Sequence, residues 1–190
     1  MSRRMGPVNK PLLPFRGTTL VETTFRHLAE AGIGPVTVVT GHEADLVTER
    51  LKHSAARILH NPRYEEGMTT SIQAGVAVAP PHATGYMICP GDLPFILPQE
   101  YRQIASFFDT RLSQDPQAIV QAVFEGQAGH PVVFSAAHRA AILSLSYPEG
   151  CRPVVQAHLS ALYPFAFATD HCVRDVDRQE EYTRYTHGEE

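Results

Sequence analysis

From Thr19 to Cys89 the chain alternates helix-like and strand-like runs joined by connections of a few residues, and beyond that the pattern is less regular. That alternation restricts it to an α/β sheet covered by helices on both faces. Thr19-Leu20-Val21-Glu22 has the spacing of a capping box, and Val21, Phe25, Leu28 and Ala29 recur at helical intervals up to Gly32. Pro35-Val36-Thr37-Val38-Val39-Thr40 follows as a β-branched run, continuous enough in apolar character for a buried parallel strand, and Gly41 ends it. The pattern then repeats: a helix near Ala44 to His53, a strand near Arg57-Ile58-Leu59, a helix from about Ser71 to Ala79, and a buried strand Tyr86-Met87-Ile88-Cys89 stopped by Pro90-Gly91.

In the second half Tyr101, Ile104, Ala105, Phe108 and Leu112 mark a helix, and Ala118 to Phe124 reads as a strand. Glu125 to Pro131 reads as a glycine-rich turn leading into Val132-Val133-Phe134, so the two strands form a hairpin-like insertion. Helical stretches are expected over Ala136 to Leu145 and Arg152 to Ala161, a last strand over Pro164 to Ala168, and a polar helix over Gln179 to Tyr185.

At 190 residues the chain is long enough for one substantial core, and a single domain over 1–190 is expected. A net charge of −4 argues against nucleic-acid binding through a broad basic surface, so the basic residues act locally. No apolar run approaches the roughly 20 residues a membrane span needs, and the start lacks a signal-peptide stretch, so a cytoplasmic protein is expected. Cys89, Cys151 and Cys172 are far apart and lack paired metal-ligand spacing, which fits reduced thiols.

In open α/β sheets ligands bind beyond the carboxyl ends of the strands, and several chemically capable residues fall there. Asp92 follows a buried strand in Cys89-Pro90-Gly91-Asp92-Leu93-Pro94. A carboxylate in so stiff a turn can ligate Mg²⁺, although a turn or N-cap aspartate reads the same way. Asp175 and Asp177, one residue apart, share a face if extended and can serve one metal, or lie in a solvated turn. Before the first helix, Ser2-Arg3-Arg4-Met5-Gly6 and Asn9-Lys10 combine an arginine fork, a lysine point charge and a glycine that lets backbone approach a ligand. This is an anion site in outline, or else a solvated tail. Gly41-His42 and Gly129-His130-Pro131 place histidines in loops, where they donate to a phosphate or simply hold the loop. From Asn61 to Ile72, Gly67 and the hydroxyls of Thr69, Thr70 and Ser71 sit at a helix start, facing a ligand or capping the helix.

Taken in order, Ser2-x-Arg4-Met5-Gly6, Asn9-Lys10, Leu12-Leu13-Pro14, Thr40-Gly41-His42, Asn61-Pro62-x-Tyr64-x-x-Gly67-Met68-x-x-Ser71-Ile72, Pro90-Gly91-Asp92-x-Pro94, Gly129-His130-Pro131-Val132 and Asp175-Val176-Asp177 resemble the molybdenum cofactor nucleotidyltransferases. Within that family they are most similar to the CTP:molybdopterin cytidylyltransferases. The resemblance implies a Rossmann-like three-layer α/β/α nucleotidyltransferase fold with a mostly parallel sheet and a small β insertion. It also implies Mg²⁺-dependent transfer of CMP from CTP to the phosphate of molybdopterin, with release of pyrophosphate.

By the same resemblance Arg4 and Lys10 bind the triphosphate and stabilise charge on the leaving group, Asp92 and Asp177 hold the metal, and Asp175 is the substitute for Asp177. Ser2, Gly6, Asn61, Gly67 and Ser71 join Arg4 and Lys10 around the nucleotide. His130 and Pro131 lie near the acceptor phosphate. A molybdenum hydroxylase is an implied partner; nucleic acid and membrane are not. The family's glycine loop reads Leu-Ala-Ala-Gly-x-Ser-x-Arg-Met-Gly after a first core strand, and this chain enters that pattern at its serine. The expectation is therefore an N-terminally truncated domain whose neighbouring strands have unpaired edges. The alternatives are a guanylyltransferase or sugar-phosphate nucleotidyltransferase on the same scaffold, and a non-catalytic nucleotide- or cofactor-binding protein.

Overall fold

The computed structural model describes residues 9–146, 148 and 150–174. A short 3-10 turn over Lys10–Leu12 leads into a small antiparallel hairpin, β1 (Pro14–Phe15) and β2 (Thr18–Thr19). Helix α1 (Leu20–Ala31) begins where the capping box requires: the Thr19 hydroxyl accepts from the Glu22 amide, and the Glu22 carboxylate accepts from the Thr19 amide. It ends at Gly32, whose φ of 66° is the left-handed conformation glycine adopts without a Cβ penalty. Then come β3 (Thr37–Thr40), α2 (Ala44–Leu51), β4 (Arg57–His60), α3 (Met68–Ala77), β5 (Gly85–Ile88), α4 (Pro98–Leu112), β6 (Ile119–Phe124), β7 (Gln127–Ser135), α5 (Arg139–Leu143), α6 (Arg152–Ala157) and β8 (Leu162–Ala166).

The period-2 alternation of the strands sorts side chains between two helical layers. Ala118, Val120, Ala122 and Val133 pack beneath α4 with Tyr101, Ile104 and Phe108. Ile119, Val132 and Phe134 point the other way, against Val76 of α3, Ile142 of α5 and Val154 of α6. In the first half Val38 and Ile58 pack on α1 and α2 through Val21, Phe25, Val47 and Leu51. On the opposite face a Cβ on Gly75 of α3 would lie 3.3 Å from Val39. The result is a three-layer α/β/α arrangement. Each fully buried apolar side chain in it contributes about 1.5–3 kcal/mol of transfer free energy.

Strands β3 and β4 pair in parallel with Thr37 opposite Arg57, and four further strands run in the order β5-β7-β6-β8. β6 and β8 are parallel, whereas β7 is antiparallel to both β5 and β6. The hairpin expected as an insertion thus supplies the two inner strands of the four-stranded sheet. Among the described residues β3 pairs only with β4 and β5 only with β7. The residues of β5 and the first three of β3 are half-buried, although helices flank them.

The turn after β6 is shorter than its composition implies. Only Glu125 and Gly126 form it, with φ of 48° and 82° as a tight two-residue hairpin turn requires. Gly129, His130 and Pro131 therefore lie within β7. There the pairing register shifts, with Gln121 opposite Val132 but Val123 opposite Ala128. Glycine and proline read as turn residues here because an irregular strand uses them too. The expected helix over Gln179 to Tyr185 lies outside the described residues.

Candidate active site

Three strand ends and the Lys10 turn converge. The Asn9 side-chain amide donates to the His42 carbonyl at 3.3 Å, which ties the segment preceding Lys10 to the loop after β3. Lys10, 8% exposed, places its Nζ 2.9 Å from Oδ2 of Asp92, in the loop after β5. The Asn61 amide donates to the Thr40 carbonyl at 2.8 Å, locking the end of β4 to that of β3. The Lys10 turn thus joins the ends of β3 and β5, where an α/β sheet puts its ligands.

His130 belongs to the same group. Burial is the main influence on its imidazole and holds it below the usual histidine range, while the negative charge of Asp92 pulls the other way. At neutral pH it is a neutral ring that can both donate and accept. The irregularity of β7 brings it there, in accord with the tendency of strand bulges to re-aim side chains beside sites. A Cβ on Gly129 would collide with the Cys172 carbonyl, so glycine is what lets this strand approach the 170–174 segment. The His130–Pro131 peptide is cis.

Asn61 and Ser71 are brought together, but in a bracket. The Asn61 side-chain amide donates to the hydroxyls of Thr70 at 2.9 Å and Ser71 at 3.0 Å, and its carbonyl accepts from the Arg63 amide at 3.0 Å. Gly67 precedes α3 at φ 114°, and a Cβ there would lie 2.5 Å from the Pro148 carbonyl oxygen. Thr69 clasps the same loop by accepting from the Gly150 amide at 2.9 Å. These threonines read as capping residues in the sequence; their partners across the chain are set by tertiary packing. His42 is exposed beside Glu43. Ser2, Arg4, Gly6, Asp175 and Asp177 lie outside the described residues.

Asp92 carries a hard carboxylate at a partly exposed position, one oxygen of which faces Lys10. Among the described residues no three His, Cys, Asp or Glu side chains cluster as a metal cage. A single carboxylate fits Mg²⁺, which keeps waters and takes most of its remaining oxygens from substrate phosphates. The cysteines supply no nucleophile: burial pushes the Cys89 thiol up to about 12, and those of Cys151 and Cys172 to about 11.

The family model of the MobA-like NTP transferase domain matches residues 1–162. This chain belongs to that family. The MobA-like chain is 30% identical over 137 residues to the molybdenum cofactor cytidylyltransferase of Escherichia coli K12, covering 71% of itself and 65% of that relative. It is 29% identical over 149 residues to the nicotine blue oxidoreductase of Paenarthrobacter nicotinovorans, covering 75% of itself and 70% of the relative.

The solved structure of Rv0371c from Mycobacterium tuberculosis H37Rv shares the fold with a TM-score of 0.80 at 24% identity, over 96% of this chain and 90% of that one. A nucleotidyl transferase from Methanothermobacter does so with the same TM-score and identity, over 95% and 84%. By family the MobA-like chain is thus a nucleotidyltransferase, and these structures share its fold. No helix among its described residues is long and apolar enough to cross a membrane.

Proposed function

We propose that the chain transfers CMP from CTP to the terminal phosphate of molybdopterin or its molybdenum-loaded form, with Mg²⁺ as the metal. An oxygen of the acceptor phosphate attacks the α-phosphorus of CTP, the bond from that phosphorus to the bridging oxygen breaks, and pyrophosphate leaves with the bonding pair. The observation that carries the proposal is the Lys10–Asp92 pair at the ends of β3 and β5, with His130 beside it. The cytidylyltransferase named among the relatives supports the choice of base and acceptor.

In this reading Lys10 and Arg4 neutralise the triphosphate and the charge that gathers on pyrophosphate, an electrostatic role needing no covalent nucleophile. Asp92, with Asp177, holds Mg²⁺. The bound ion screens the repulsion between the two anionic reactants and polarises the phosphoryl group. Neutral His130 and the adjacent Pro131 border the acceptor phosphate, and His130 donates to it. Ser2 and Gly6 contribute to the phosphate loop, while Asn61, Gly67 and Ser71 set the shape of the wall around base and ribose.

The test is incubation with Mg²⁺, molybdopterin and each of CTP, GTP, ATP and UTP in turn, with pyrophosphate and the pterin product measured by mass. The proposal expects a cytidylated pterin, one pyrophosphate per transfer, and no product without Mg²⁺. Preference for GTP would replace it with the guanylyltransferase alternative. Nucleotide binding with no pyrophosphate from any of them would replace it with the binding-protein alternative.

A further inference from the structure

A cavity of about 320 Å³ opens between α1, the β1–β2 hairpin, the Pro94–Leu97 segment and the 171–174 segment. Three of its ten lining side chains are arginines, Arg16, Arg26 and Arg174, and two are histidines, His27 and His171. Its apolar wall is the edge-to-face pair Phe15 and Phe95, with ring centroids 5.5 Å apart. Neither Lys10, Asp92 nor His130 lines it. We propose that this cavity is a second anion site, separate from the proposed active site, that binds a small phosphate monoester bearing an apolar or aromatic group.

The charge balance supports an anion. His171 is paired with Glu100 at 2.9 Å, and Arg174 with Asp170 at 2.7 Å, so those carboxylates are already answered. Arg16 and Arg26 are exposed and make no ion pair with a carboxylate among the described residues. The guanidinium of Arg16 lies 5.3 Å from the centre of the Phe15 ring and that of Arg174 lies 5.0 Å from the centre of the Phe95 ring, so aromatic faces orient both forks.

Arg16 also occupies a hairpin-turn position at φ 46°, where glycine or asparagine is favoured, and that turn projects it at the cavity rim. His27 donates its Nδ1–H to the Ile96 carbonyl at 2.9 Å, which fixes the ring in the wall. Guanidinium forks match phosphate oxygens, and the phenylalanine wall accepts the apolar part of the ligand. The volume suits a ligand of about one ring and one phosphate, at the small end of ordinary ligand pockets.

Isothermal titration of the full chain with phenyl phosphate, inorganic phosphate and benzyl alcohol tests the site. Saturable binding is expected for phenyl phosphate, weaker binding for phosphate and none for benzyl alcohol. Affinity for phenyl phosphate should fall about tenfold or more in the Arg16→Ala/Arg26→Ala double variant, recover in part with lysine at both positions, and persist in Asp92→Asn. Both arginines are on the surface, so the variants should keep the wild-type thermal midpoint. No saturable binding, unchanged affinity in the double alanine variant, or loss of binding in Asp92→Asn would each overturn the proposal. Because binding rather than transfer is read, none of these results bears on the cytidylyltransferase proposal.

Discussion

Lys10 and Asp92 meet at 2.9 Å although one opens the 3-10 turn before α1 and the other follows β5. With only 9% of the lysine side chain and 21% of the aspartate side chain exposed, the two offset each other's charge in a partly desolvated site. Replacing lysine by a neutral chain of similar length leaves that carboxylate without its ammonium. Lys10→Met should lower stability by about 1–3 kcal/mol, the range for a charged hydrogen bond, and lower pyrophosphate release far more than that loss of folding explains. Urea unfolding and turnover on the same preparation check it; unchanged turnover would remove Lys10 from the reaction.

The Asn61 bracket predicts a stability effect. Asn61 is 3% exposed and makes three side-chain hydrogen bonds. Asn61→Ala removes the partner of the Ser71 hydroxyl and of the Arg63 amide and one of the partners of the Thr70 hydroxyl, which keeps its bonds to the Arg63 and Gly67 carbonyls, and about 1–3 kcal/mol should be lost. Thermal and urea unfolding measure this. An unchanged unfolding midpoint with a raised KM for CTP would instead make Asn61 a direct ligand.

At Gly67 backbone conformation and close approach act together. A φ of 114° disfavours every side chain, and the Pro148 carbonyl occupies the Cβ position. Gly67→Ala should cost about 2 kcal/mol or more by combining strain with displacement of Pro148. The Gly17→Ala control, in the β1–β2 turn, has no atom within 4 Å of its new methyl and carries only the positive-φ penalty. Equal midpoints for the two variants would contradict this reading.

Stability should also fall as the solution is acidified through the histidine range. His130 is held below its ordinary value of 6.5 in the folded chain, chiefly by burial, so the unfolded chain binds the proton first. Stability contributed by neutral His130 is therefore complete above about pH 6.5. It declines from there down to the lower folded value and is constant below it. His130→Gln should flatten that decline in part, leaving the share of His27, which is lowered chiefly by burial as well. Denaturation midpoints between pH 5 and pH 8 test the sign; a slope unaltered by the substitution would contradict it.

Local signals made much of the fold legible. Thr19, Glu22 and Gly32 mark both ends of α1 because capping is satisfied within a few residues, and the β-branched runs mark β3 and β4. What was not legible depends on partners distant in sequence. Helix α3 starts at Met68 rather than near Ser71, where Gly67 turns against Pro148 and Thr69 clasps Gly150. His130 reads as a turn residue in the sequence because a bulged strand and a loop use the same glycine and proline, and only the pairing of β7 with β5 and β6 tells them apart. In the candidate site Asp92 was recognisable from its position after a buried strand. Its contact with Lys10 and the gathering of Arg16, Arg26 and His171 around one cavity are tertiary facts with no spacing to announce them.

In the proposed reaction Asp92 holds the Mg²⁺ of a nucleotidyl transfer. The most direct measurement compares initial rates of pyrophosphate release from Mg-CTP and molybdopterin for the natural chain and Asp92→Asn, at matched thermal midpoints. The rate should fall about a hundredfold or more, and added Mg²⁺ should restore it only in part, as expected when a charged group acting on the transition state is lost. A rate within a few-fold of the natural chain, with the same dependence on Mg²⁺, would contradict it.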